Sequence, residues 1–327
     1  MAVNRTMISK LYAKIESTSG TEETIAGADL CKIYGDGANI WQIESEDVPL
    51  DAITGTMTQA PVFKGITRAT AQFDFLLQGT GGPAAAPYWA RFFQAGGCSL
   101  GSAVDGSDTV YTIAPSDTLS DHKSLTIHAY HETNKHIGIG MQGGVSLVCE
   151  AGRLMRCTAN LSGLTAATPV VGGQTPPSGT LQANRSPKFE GVQLTIDAYT
   201  TGTLRRFEFQ TGANPVDDLD ASATTSIRGL KGRVITSRQP SITMVLRAEH
   251  NLPKDFFSAL VNGDMTTLSW SKASIDAEDT IEFEAEGQIT GVPIQNADGL
   301  LLYAISIAPR NDTANADWSL KVTTPTS

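Results

Sequence analysis

What most restricts how this chain can fold is a strand, a break and a short helix that occur twice at one spacing. Between Phe63 and Gly97, Phe73, Phe75 and Leu77 alternate with Gln72, Asp74 and Leu76, the period-two pattern of a half-buried strand. Gly79 to Pro83 interrupts it, and Pro87 suits a first helical turn. Trp89, Phe92 and Phe93 then fall at i, i+3 and i+4, with Gly96-Gly97 as a stop. Lys64-Gly65 recurs as Lys231-Gly232 and Gly96 as Gly263, in both cases 167 residues on. Ile242, Met244 and Leu246 repeat the alternation, and an apolar helix is expected over 253–262, with Phe256 and Leu260 at the positions of Trp89 and Phe93. Two anchors at one spacing, with the same elements between them, point to an internal duplication.

A length of 327 residues fits two domains, each long enough to bury its own core. Residues 165–187 are rich in Thr, Pro and Gly and have no sustained period, so a linker is expected at 171–187 between units at 1–170 and 188–327. Charged residues make up only 18% of the chain, and short Thr, Val and Ile runs are punctuated by Gly, Pro, Asn and Asp. The expected class is mainly β: two tandem β-sandwich or barrel domains, each with a short flanking α-helix.

The net charge of −10 is shared evenly, with 11 basic and 16 acidic residues in 1–180 and 13 and 18 in 181–327. A chain without a basic stripe does not grip phosphates as nucleic-acid binders do. Neither an apolar run of about 18 residues nor a signal peptide is readable, so no membrane span is expected. Cys31, Cys98, Cys149 and Cys157 lack any C-x-x-C spacing and read as reduced thiols made in a cytoplasm.

Along the chain, 7–16 suits a helix or a strand equally, and two short strands are expected around Gly35-Asp36-Gly37. A strand is expected at 110–113, a hairpin turning at Glu132 to Lys135, and an alternating pair over 144–162 broken at Ala151-Gly152. Acidic segments precede the repeated strand in each half: Glu44, Glu46, Asp47 and Asp51 in the first, Asp217, Asp218 and Asp220 in the second. Asp51 and Asp218 again stand 167 residues apart.

Three clusters invite a chemical reading. Gly138 to Gly143 matches G-x-G-x-x-G, but VSLVCE follows where a dinucleotide site needs a helix, so a glycine-rich strand end is expected. His122, His128, His131 and His136 have the residue types of a zinc site, yet His128 and His131 fall on opposite faces of a strand and the cluster is expected to scatter. Glu282, Glu284 and Glu286 line one face of one strand, whereas a glycosidase pairs carboxylates across a cleft. Neither G-x-S-x-G nor a Walker loop occurs. No catalytic residue, cofactor or metal is therefore expected, and the chain reads as a non-enzyme. Trp89, Phe92, Phe93, Phe256, Phe257 and Leu260 are expected to be helix core residues covering the open side of a sheet.

The order of these parts resembles the major tail tube proteins of long-tailed, siphovirus-like bacteriophages. The resemblance lies in KLYAKIESTSGTEET, VPLDAITGTMTQAPVFKG, QFDFLLQGTGG, APYWARFFQAGG and GGVSLVCEAGRLMRCTANLSGL, and reaches 188–327 through the duplication. The second half departs from it, with RAEHN where the first has QGTGG. The resemblance implies a virion structural protein, made in the host bacterial cytoplasm and located in the virion tail. It implies self-assembly into stacked rings around a channel for DNA ejection, with tape-measure, tail-terminator and distal tail proteins as partners. Duplication then suggests a homotrimer with pseudo-sixfold symmetry. Candidate lumen or ring-contact charges are Glu44, Glu46, Asp47, Asp51, Asp74, Asp217, Asp218 and Asp220. A two-domain β-sandwich binding module, for carbohydrate or host-surface decoration, is the alternative.

Overall fold

The computed structural model describes residues 10–34, 40–49, 62–80, 86–181, 186–200, 202–222, 229–248, 254–273, 279–297, 299–310 and 317–325. Its architecture is mainly β, as expected, with antiparallel ladders throughout and two short α-helices. The first half holds β1 (Lys10–Ile15), β2 (Leu30–Cys31), β3 (Trp41–Pro49), β4 (Val62–Leu76), α1 (Ala90–Gln94), β5 (Cys98–Asp105), β6 (Asp108–Pro115), β7 (Leu125–His131), β8 (Asn134–Glu150) and β9 (Arg156–Val171). The second holds β10 (Gln193–Ile196), β11 (Leu204–Gln210), β12 (Ala213–Leu219), β13 (Leu230–Arg238), β14 (Ser241–Arg247), α2 (Phe256–Asn262), β15 (Met265–Ala273), β16 (Thr280–Gly291), β17 (Ile294–Ala297), β18 (Leu300–Pro309) and β19 (Trp318–Pro325).

One strand order is written twice. The first half pairs β1-β7-β8-β9-β4-β3. The second pairs β10-β15-β16-β18-β14-β11, the same positions in the same sequence. The constant spacing ends after the helix because β5 and β6 intervene only in the first half. The left-handed residues that close the two helices are Gly97 (φ +80°) and Gly263 (φ +72°), so Gly97 rather than Gly96 is the structural counterpart of Gly263. The single strand β4 is matched by β13 and β14, which break at Gln239-Pro240: proline has no N–H for the ladder, and Gly212 (φ +61°) bends the facing strand there.

The halves do not bury separate cores. One apolar cluster runs from Leu11 and Phe73 in the first half to Phe283 and Val322 in the second. Two ladders cross between the halves: β11 pairs with β8, and β19 lies between β16 and β6. Trp318 on β19 sits at the junction, with ring centroids 6.3 Å from Phe93, 4.6 Å from Phe209 and 6.3 Å from Phe283. Each half has one sheet edge and one apolar face that the other covers, so burial is completed only across the duplication. The expected linker is strapped to the first half: β9 runs on to Val171, Gln174 N–H donates to Thr133 O at 2.9 Å, and Tyr12 Oη donates to Pro177 O at 2.6 Å.

The helices differ from expectation in two respects. Trp89, Phe92 and Phe93 are fully buried, Trp89 Nε1 donates to Gln78 O at 2.9 Å, and Phe92 packs 5.0 Å from both Phe73 and Phe75. α1 is thus a plug inside the shared core and not an outer cover, because β19 brings Trp318 against it. In α2, Phe256 and Ala259 are buried and Leu260 packs against the core, but Phe257 is exposed and only touches Tyr303 at 5.7 Å. No helix among the described residues is long and apolar enough to cross a membrane.

Candidate assembly and channel surfaces

Eight strand positions form one row across the molecule: β3, β4, β9, β8, β11, β14, β18, and then β16 continued by β17. Alternation sends Phe73, Phe75, Leu147, Cys149, Phe207 and Phe209 to the core. The opposite face is polar, and its registers can be read across the strands. Gln72 stands beside Asn160 and Gly144. Asp74 stands beside Thr158, Ser146, Gln210 and Ser241. Arg156 stands beside Val148, Glu208, Thr243 and Ser306. Two shallow hollows open on this face: one of about 340 Å³ over Gln42, Thr70 and Asn160, another of about 430 Å³ over Ser146, Ser162 and Gln210.

The charges near this face are paired. Asp74 accepts from Thr158 Oγ1 at 2.5 Å and from Arg156. Arg206 pairs with Glu208 and lies 3.8 Å from Glu150. In the β3–β4 arm Asp47 pairs with Lys64, Glu44 stands opposite Arg68, and Glu46 occupies a bulge between Ser45 and Asp47. Asp51 lies outside the described residues. Asp217 is held between Arg68 Nε at 2.9 Å and Arg233 Nε at 3.0 Å, an ion-pair cluster that ties the two halves. The hydrogen bond to Asp217 raises the Arg68 pKa, while burial and the neighbouring Arg68 lower that of Arg233 against the pull of Asp217. Asp218 lies 3.9 Å from Lys231, and Asp220 accepts from Ser222 N–H at 2.9 Å. The candidate acids therefore do not act as a bare negative lining; most are matched by arginine or lysine. Sequence reasoning missed those partners because they sit on other strands, up to 149 residues away in the Arg68–Asp217 pair.

The remaining clusters are structural. Gly138 to Gly143 lies inside β8, which slips register twice against β9 there. At one slip Gly140 (φ +60°) turns its N–H onto the buried Glu16 carboxylate at 2.7 Å, which also accepts from Ser124, Thr126 and Gly20. At the other, between His136 and Gly138, a Cβ on Gly138 would strike the Trp41 ring; beyond both slips Gly143 N–H donates to Ala95 O after α1, where a Cβ would strike the Asn160 backbone. Bulges in a strand are what these glycines permit. His128 is buried with Nε2 3.0 Å from Glu22, and His122 contacts Ser116 O at 2.8 Å. His131 and His136, expected to scatter with the rest, are neighbours at 5.0 Å across the β7–β8 hairpin. Among the described residues no three His, Cys, Asp or Glu side chains converge as metal ligands. Glu284 pairs with Lys321 at 2.5 Å on the face it shares with Glu282 and Glu286. All four cysteines are buried and free; burial raises every thiol, Cys31 to about 11 and Cys98 to about 12. No protein-family model matches the chain, and no curated protein matches it.

Proposed function

We propose that this chain is a structural subunit of a bacteriophage tail tube, three copies forming each pseudo-sixfold ring, with the polar face of the eight-strand row turned to a DNA channel. The observation that carries the reading is the joint inside the chain: the second repeat adds its β11 edge to β8 of the first, head to tail. A head-to-tail contact between like units generates rings when the rotation closes.

Strand spacing argues for three chains. Twenty-four strands at about 4.8 Å give a barrel roughly 37 Å across between backbones, before any widening by tilt. Inward side chains of ~5 Å leave a bore of about 27 Å, enough for one duplex. Two chains would leave about 14 Å, too narrow for it. A lining of Gln, Asn, Ser and Thr with paired charges neither grips phosphate nor stops it, as passage of DNA requires. Tape-measure protein inside, and terminator and distal proteins at the ends, are the partners this role entails.

Cryo-electron microscopy of the purified chain tests the proposal. Rings or stacks with three chains per layer are expected. Six chains per layer would overturn the stoichiometry, and a chain that stays single under all conditions would overturn the tube itself in favour of a binding module.

A further inference from the structure

The edge that β8 offers to β11 has a counterpart in the second repeat, and there it is empty among the described residues. In β8, Ser146 to Glu150 pairs with β11, whose Phe207 and Phe209 are buried. The equivalent of β8 is β16 together with β17. Both follow a hairpin partner, β7 or β15, and both pair along their other edge, with β9 or β18. The β18 ladder passes without a slip from Gly291↔Ser306 to Ile294↔Tyr303, so β17 stands where the β11-binding part of β8 stands.

Among the described residues β17 pairs only with β18; Ile294 on β17 is 59% accessible, and Leu301 on β18, opposite Asn296, is 50% accessible. At the far end of the row β3, among the described residues, pairs only with β4 and exposes Ile43 and Val48. Unpaired backbone groups flanked by exposed aliphatic side chains make an edge that another strand completes.

We infer that the β17 edge, with Ile294 and the adjoining Leu301 of β18, is the docking surface for a second copy of this chain, which it receives by the β3–β4 end of the first repeat. The occupant is a second copy because the chain already makes this joint once, between the cognate edges β8 and β11. The two edges differ, so the contact is head to tail rather than a twofold. This inference rests on the tube reading for its closure into a ring, but the docking surface is tested separately.

Two measurements on the full chain decide it. The first replaces Ile294→Lys and Leu301→Lys together. The variant is expected to keep its far-ultraviolet circular dichroism and to sediment as a single chain where the wild type forms rings or tubes. Wild-type-like assembly of the variant would overturn the docking surface and leave the tube standing; a wild type that never assembles would overturn both. The second mixes Gln295→Cys chains with Gln42→Cys chains and adds a short bismaleimide, which the buried native cysteines do not reach. An interchain product only in the mixture supports the head-to-tail joint. A product from Gln295→Cys alone, or none in the mixture, overturns it.

Discussion

At the residue scale the two halves are joined by a carboxylate shared between two guanidinium groups. Asp217 on β12 meets Arg233 on the paired strand β13 and Arg68 on β4 of the first repeat. All three side chains are mostly removed from water, so the pairing is screened less than a surface ion pair. Removing Arg68 alone leaves Asp217 one partner, whereas removing Asp217 leaves two cations facing each other. A double-mutant cycle with Arg68→Ala and Asp217→Ala, read by urea unfolding, is expected to give a coupling energy on the order of 1 kcal/mol. Asp217→Ala is expected to be the more damaging single change, and a coupling indistinguishable from zero would remove this cluster from the account of the joint. The residue identities were legible in the sequence as acidic candidates. Their role was not, since nothing local pairs position 68 with position 217.

At the element scale, the two helices show how one template is finished differently. α1 is sealed on every apolar side, partly by the β5–β6 hairpin and partly by Trp318. α2 has no equivalent of that hairpin, and Val261 is 84% exposed. It relies instead on its own termini: the Asp255 carboxylate accepts from Phe257 and Ser258 N–H at 3.0 Å and from Ser258 Oγ at 2.6 Å, and Gly263 closes the other end. The Ser258 hydroxyl first, then the two amides, hold the Asp255 pKa below its ordinary value. A depressed carboxylate pKa contributes stability that is present above the unfolded value and lost as pH falls through the folded one. Asp255→Ala is therefore expected to lower the melting temperature at neutral pH and to lose that effect in acid below the folded pKa. A penalty independent of pH would show that the cap acts through something other than the carboxylate's charge.

At the scale of the whole molecule, the chain reads as two units and folds around one core. A single aromatic network runs through Phe93, Trp318, Phe209, Phe283 and Trp270, crossing the duplication. Shared burial couples the halves, so calorimetry is expected to show one cooperative unfolding transition, with calorimetric and van't Hoff enthalpies in agreement. Two separated transitions would mean that β19 and the β8–β11 ladder contribute little. The same shared sheet gives the molecule a polar face wider than either repeat alone, with β3 and β17 as the two ends of its strand row among the described residues.

The sequence by itself determined the class of the chain, its duplication, the repeated strand and helix, and the hairpin around Glu132 to Lys135. These are signals of period and punctuation, carried by neighbouring residues. It also placed the acidic segments, but not their arginine partners. It did not foretell β5, the plugging of α1 by Trp318, the embrace of β6 by β19, or the head-to-tail ladder of β8 with β11. Each of those joins residues far apart in the chain, and its free energy comes from apolar area and backbone groups that only the folded molecule brings face to face. Local pattern specifies which edges and faces each strand has; which edge meets which was decided by closing the core of both repeats at once.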